Sequence, residues 1–185
     1  MLEDMKKKAS ARMDKSVDTL KQAFTKLRTG RASAGLVEHL KVDYYGSDVP
    51  ISQTASVVVE DARTITITPW EKTMVGPIEK AIMASDLGIT PNTAGTVIRL
   101  VIPALTEERR RDLVKVVKSE AEQAKIAIRN VRRDAMQEVK EQLKKKLVSD
   151  DDEKRAEAEI QKLTDQHIAR VEEVAAAKEK ETMSL

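Results

Sequence analysis

Cysteine is absent from the 185 residues, which excludes disulfides and thiolate metal sites and is compatible with a reducing compartment. Aromatic residues make up only 2% of the chain, which argues against recognition of nucleic acid mainly by base stacking. No apolar run approaches the roughly 20 residues of a membrane span. The amino terminus, MLEDMKKKASARMDK, has no signal-peptide apolar stretch, and its Glu3 and Asp4 argue against an acid-poor transit peptide. These absences predict a soluble, cytoplasmic protein. Catalytic motifs are missing too: there is no GxxxxGK[ST] loop, no GxGxxG and no HExxH. The two histidines, His39 and His167, are far apart, and His167 falls on an inward helical stripe as a core or boundary residue. The run Asp150, Asp151, Asp152, Glu153 lacks the glycine and spacing of a calcium loop and reads as helix capping. Neither catalysis nor a metal or other cofactor is expected.

What is present is charge, and it is unevenly placed. A net charge of +2 conceals thirteen Lys or Arg against six Asp or Glu at positions 109–146, followed by six against eleven at 147–185. Residues 1–30 carry eight against four, and 31–104 carry six against eight. A polyanionic partner therefore meets the third segment, with the first as a possible extension.

Periodicity gives the architecture. Met13, Val17, Leu20, Phe24 and Leu27 recur at helical spacing between Asp4 and Arg28, and Thr29-Gly30 ends that helix. Thr106 to about Leu147 runs without Gly or Pro, and a third helix follows the acidic capping run, with Ile160, Leu163, His167, Val171 and Val174 on one side. Between them, KVDYY at 41–45, SVVVED at 56–61, TITITPW at 64–70 and TVIRLVIP at 96–103 read as strands. TMVGPIEKAIMASDL at 73–87 reads as one helix stopped by Gly88, with Ile78, Ile82 and Met83 inward. One of Tyr44 and Tyr45 packs while the other faces out, and Trp70 belongs to the small domain's core or rim. Helices of about 25, 41 and 35 residues with single apolar stripes need one another's cover. The fold class is α+β: an elongated three-helix bundle, 1–30 plus 105–185, with a small β/α/β domain inserted at 31–104. The two chain passages, Thr29-Gly30-Arg31 and Pro103-Ala104-Leu105, are the expected hinge.

The stretch IAIRNVRRDAM, 126–136, carries the candidate site. On a helical projection the apolar Val117, Ala121, Ala124, Ile128, Ala135 and Val139 share one side. Arg111, Lys115, Lys118, Lys125, Arg133 and Lys140 all lie within about 40° of Arg129, and Arg132 about 60° away at the apolar border. Charge on a long helix is usually solvation. Solvated helices, however, interleave signs at i,i+4, whereas here like charges line up over several turns, which costs stability without a partner. Lys125, Arg129, Arg132 and Arg133 are therefore the candidate polyanion contacts, suited to folded RNA read by shape and phosphate. Arg28 and Arg31, in LRTGRAS, either extend the patch or complement a helix C-terminus. A helical adaptor gripping other proteins is the competing reading; it accounts for the helices but not for the one-sided charge. A hydrolase is a distant third.

KLRTGRAS at 26–33, VDYYG at 42–46, EKAIMASDLGITPN at 79–92, LTEERRRDL at 105–113 and EAEQAKIAIRNVRRDA at 120–135 together resemble the bacterial ribosome recycling factors, in order along the whole chain. The resemblance implies an L-shaped monomer of transfer-RNA dimensions. It further implies binding to the 70S post-termination ribosome and, with elongation factor G and that partner's GTP hydrolysis, its splitting into subunits with release of mRNA and deacylated tRNA. Arg129, Arg132 and Arg133 would meet large-subunit rRNA, Arg28 and Arg31 would lie close by, Gly30 would sit at the hinge, and the small domain would receive the push of the GTPase.

Overall fold

The computed structural model describes residues 1–27 and 30–184. Arg28 of the expected RNA surface and Thr29 of the expected hinge lie outside the described residues. The chain divides into two compact units, Met1–Thr29 with Glu107–Ser184, and Gly30–Thr106.

The first unit is three helices, α1 (Leu2–Thr25), α3 (Glu107–Lys144) and α4 (Asp150–Met183), each packed on the other two. Met13, Val17, Ile128, Ile160 and Val171 are fully covered at its centre. The helix ends are local chemistry. Ser149 Oγ accepts from Asp152 N at 3.1 Å and Ser149 N donates to Asp152 Oδ2 at 3.2 Å, a reciprocal cap for α4. The closure of α3 has no glycine to announce it. Lys146 takes φ 56°, its N–H reaching Leu143 O at 2.8 Å, while Leu147 N–H reaches Gln142 O at 3.0 Å. Consequently α3 stops at Lys144, three residues before the expected Leu147.

Polar contacts set the order of the helices. Asp14 on α1 accepts from Arg170 Nη1 at 2.7 Å and lies 2.8 Å from His167 Nε2 on α4. Lys6 of α1 pairs with Glu159 of α4, so these two helices run parallel. Arg12 of α1 reaches Asp134 of α3 at 3.0 Å, across an antiparallel pair. His167 is buried on the inward stripe, its Nδ1 2.6 Å from Leu163 O. The hydrogen bond from Arg170, and next that from His167, holds the Asp14 carboxyl below its ordinary value of 3.8. A lowered folded-state value stabilises the bundle fully above the ordinary range, and this is lost as pH falls through the lowered one. Asp14→Asn should therefore lower the melting temperature at pH 7, with the gap to the unsubstituted protein narrowing in melts taken progressively below pH 4. The effect is modest because Asp14 is half exposed.

The second unit is a four-stranded antiparallel sheet, in the order β3-β4-β6-β5, joined by a two-stranded hairpin and one helix. Strands β1 (Lys41–Tyr44) and β2 (Ser47–Pro50) form the hairpin, and β3 (Ala55–Val59), β4 (Thr64–Pro69), β5 (Asn92–Ala94) and β6 (Val97–Val101) the sheet. Helix α2 (Val75–Ala84) lies between β4 and β5 in sequence. Ile65, Ile67, Ile98 and Leu100 alternate inward from the two central strands onto Ile78 and Ile82 of α2.

Two expectations for this unit differ from the structure. Met83 is 61% exposed and does not join the core, because the inward face of α2 is filled by the i,i+4 pair Ile78 and Ile82. The helix also ends at Ala84 rather than at Gly88: Ser85 turns extended and both its N–H and its hydroxyl engage Ile82 O. Trp70 is 67% exposed and lies outside the buried core, which leaves the rim of the two places expected for it. Tyr44, by contrast, packs on the core while Tyr45 stands outward, as the reading of that pair expected.

Candidate RNA interface and hinge

The buried seam of α3 is Val117, Ala121, Ala124, Ile128, Val131, Ala135 and Val139. With that seam fixed, the four candidate cations of the bundle separate into two kinds. Arg129 and Arg133 point to solvent. Arg129 Nη1 lies 3.2 Å from Glu122 Oε1, two turns earlier on the same side, and Arg133 Nη2 donates to Asn130 Oδ1 at 3.1 Å. An exposed ion pair is worth about 0–1 kcal/mol, so Arg129 can exchange Glu122 for a phosphate at little cost.

Lys125 and Arg132 instead lean onto α4. Lys125 Nζ is 3.0 Å from Glu172 Oε1, with its side chain only 20% exposed, and Arg132 Nη1 donates to Gln161 Oε1 at 2.9 Å. They are interhelix contacts as they stand. Arg132→Ala should thus cost the bundle on the order of 1 kcal/mol, and Arg133→Ala less than about 0.5 kcal/mol; urea melts of the two variants measure the difference. Further along the same ridge, Lys118 and Lys140 are exposed. Arg111 is held at 2.6 Å by Glu107, and Lys115 lies 3.6 Å from Asp112. Arg111, Lys115, Lys125 and Arg129 of the ridge thus each have an acid within 4 Å, whereas Lys118, Arg133 and Lys140 form no ion pair among the described residues. Lys118, Glu122, Lys125 and Glu172 also line a groove between α3 and α4.

Arg31 is exposed and belongs to the second unit. The expected hinge residues Gly30, Pro103, Ala104 and Leu105 fall in that unit as well. Gly30 has φ 76°, and a Cβ there would come within 2.8 Å of Leu105 Cγ, so only glycine is accommodated without strain. Just inside these residues, Ala32 N–H donates to Ala62 O and Ile102 N–H to Arg63 O, both at 2.7 Å, and Arg63 Nε reinforces the second bond by donating to Ile102 O at 3.0 Å. Both chain passages are thereby stitched to the turn between β3 and β4, leaving residues 103–106 as the stretch beyond the sheet's bonding.

No group of three or more His, Cys, Asp or Glu suited to hold a metal occurs among the described residues. No described helix is long and apolar enough to cross a membrane. Fold and charge define a class: an α+β chain whose three-helix bundle carries a one-sided cationic ridge and is interrupted by a small sheet unit. The chain belongs to the ribosome recycling factor family, whose model matches residues 20–183. It is 62% identical to the ribosome-recycling factor of Thioalkalivibrio sulfidiphilus over 185 residues, covering 100% of both chains. It is 54% identical to that of Nitrosococcus oceani over 185 residues, covering 100% of this chain and 99% of the other. The solution structure of the ribosome recycling factor superposes with a TM-score of 0.72 at 44% identity, covering 100% of this chain and 98% of that one. A second solved chain has a TM-score of 0.61 at 44% identity, with 98% of each covered. It comes from models of the Thermus thermophilus ribosome recycling factor and Escherichia coli elongation factor G bound to the E. coli post-termination complex.

Proposed function

We propose that this chain binds the post-termination ribosome as a monomer in the cytoplasm. With elongation factor G and that partner's GTP hydrolysis, it splits the ribosome into subunits, so that mRNA and deacylated tRNA are released. The chain supplies binding energy and leverage, not bond chemistry. The observation that carries this reading is the cationic ridge of α3, held outward by the buried seam, in a chain of this family. Arg129 and Arg133 would take rRNA phosphates first, Lys125 and Arg132 would join by releasing Glu172 and Gln161, and Arg28 and Arg31 would add charge near the passages between units. Light scattering of post-termination ribosomes tests it: subunits should separate only when the chain, elongation factor G and GTP are all present. Persistence of intact ribosomes under that condition would defeat the reading.

Rotation about Thr29, Gly30, Arg31, Pro103, Ala104 and Leu105 would let the second unit move while the bundle stays on RNA. Proline at Gly30 is a poor probe, since its φ near −65° is far from the observed 76°. Ala104 is exposed, and its N–H makes no hydrogen bond among the described residues, so Ala104→Pro stiffens the passage without removing a bond. We expect Ala104→Pro to slow splitting at least about fivefold, a little under 1 kcal/mol, with ribosome affinity changed less than about twofold. Unaltered splitting rates would remove the hinge from the mechanism.

A further inference from the structure

The second unit carries an exposed cluster that RNA anchoring does not use. Tyr44 hydroxyl donates to Glu71 Oε1 at 2.7 Å and Tyr45 hydroxyl to Glu71 Oε2 at 2.8 Å. These bonds, that of Tyr44 foremost, hold the Glu71 carboxyl below its ordinary value and keep it ionised. Each carboxylate oxygen has one phenol donor and retains acceptor capacity, and the residue is exposed. The two tyrosine rings meet edge to face with centroids 4.7 Å apart. Trp70, the single tryptophan and next in sequence to Glu71, is exposed.

Anchoring the hairpin accounts for Tyr44, which packs on the core, but not for Tyr45. That residue is 74% exposed at φ 50° in the two-residue turn before Gly46, where a side chain costs roughly 1–2 kcal/mol that glycine would avoid. Both tyrosines of the chain are in this cluster, and the single tryptophan, Trp70, is exposed one residue before Glu71. Across the same hairpin Asp43 faces Asp48 directly, a like-charge pair eased only on the Asp43 side, where Oδ1 accepts from Gly46 N–H at 2.8 Å. Lys72 follows Glu71 in sequence, and neither it nor Lys41 forms an ion pair with Asp43, Asp48 or Glu71 among the described residues.

We infer that Glu71, framed by Tyr44 and Tyr45, receives an arginine side chain from a basic protein segment. The planar guanidinium matches a carboxylate whose two oxygens are held in place, and its face can stack on an exposed ring. Asp43 and Asp48 favour a cationic partner and oppose a phosphate backbone, so the occupant is protein rather than RNA. The setting, the post-termination complex, rests on the ribosome reading; the chemistry of the receptor does not.

The test uses the full chain with p-benzoylphenylalanine in place of Lys72, beside the cluster but outside it, irradiated with ribosomes and elongation factor G. The expected product is an adduct to a protein at an arginine-bearing segment, reduced at least fivefold by Glu71→Gln while ribosome pelleting is unchanged. Pelleting with an adduct to rRNA, with no adduct, or with an adduct indifferent to Glu71→Gln overturns the inference. Failure to pellet would be a failure of the ribosome reading instead, and a second measurement then decides. Trp70 emission of the full chain is titrated with a capped arginine-glycine repeat peptide, its lysine-glycine counterpart and polyuridylate. A saturable response to the arginine peptide, at least fivefold weaker for the lysine peptide and for Glu71→Gln, supports the receptor. Equal responses to both peptides, no response, or a response to polyuridylate alone overturns it.

Discussion

Reversing both outward arginines, Arg129→Glu together with Arg133→Glu, is expected to weaken ribosome binding by more than about 100-fold and to leave the bundle folded. Each guanidinium lost from a phosphate removes about 1.5–3 kcal/mol of charge-assisted hydrogen bonding, so two removals reach at least about 3 kcal/mol, or two powers of ten. The new carboxylates add repulsion from the backbone they face. Folding is spared because neither side chain enters the seam: Arg129 loses one exposed partner in Glu122, and Arg133 one in Asn130. Co-sedimentation at fixed salt gives the affinity, and a thermal melt checks the fold. Wild-type sedimentation by this variant would dismiss Arg129 and Arg133 as anchors.

The second large effect lies one residue behind the ridge. Ile128 is fully buried midway along α3, and its packing fixes which way Arg129 points. Ile128→Ala leaves a cavity in a close-packed interior and should cost about 3 kcal/mol, a large share of a typical total stability of about 5–15 kcal/mol. The bundle's melting temperature should fall by roughly 10 °C. Ribosome affinity should fall far less than in the double reversal so long as the bundle remains folded, because all the cations stay. Equal losses of affinity at full folding would mean that the ridge is not read as a set of charges but as a shape that Ile128 maintains.

The helical unit and the sheet unit were unequally visible in the sequence. The seam of α3 needed only the 3.6-residue period, and the predicted set is buried. The outward course of Arg129 and Arg133 followed from the seam. What Lys125 and Arg132 touch did not, since Glu172 and Gln161 lie 47 and 29 positions away on a helix whose register against α3 is set by packing. In the second unit, β1, β3, β4 and β6 announced themselves by β-branched alternation. Strands β2 and β5, SDVP and NTA, carry no such pattern and exist because a neighbouring strand offers them hydrogen bonds. The clamp on Glu71 was invisible for the same reason as the α4 contacts: Tyr44 and Tyr45 are 27 and 26 positions distant. Its signal was nonetheless there, in a bulky residue where the turn before Gly46 favours asparagine or glycine.

The most direct test of the central claim, that the ridge of α3 holds the chain on RNA phosphates, is the slope of log ribosome affinity against log salt concentration. Each phosphate contact releases condensed counterions, so the unsubstituted chain should give a steep negative slope, shallower by about 1–2 for Arg129→Glu with Arg133→Glu. A flat dependence for the unsubstituted chain, or the same slope for both proteins, would contradict it.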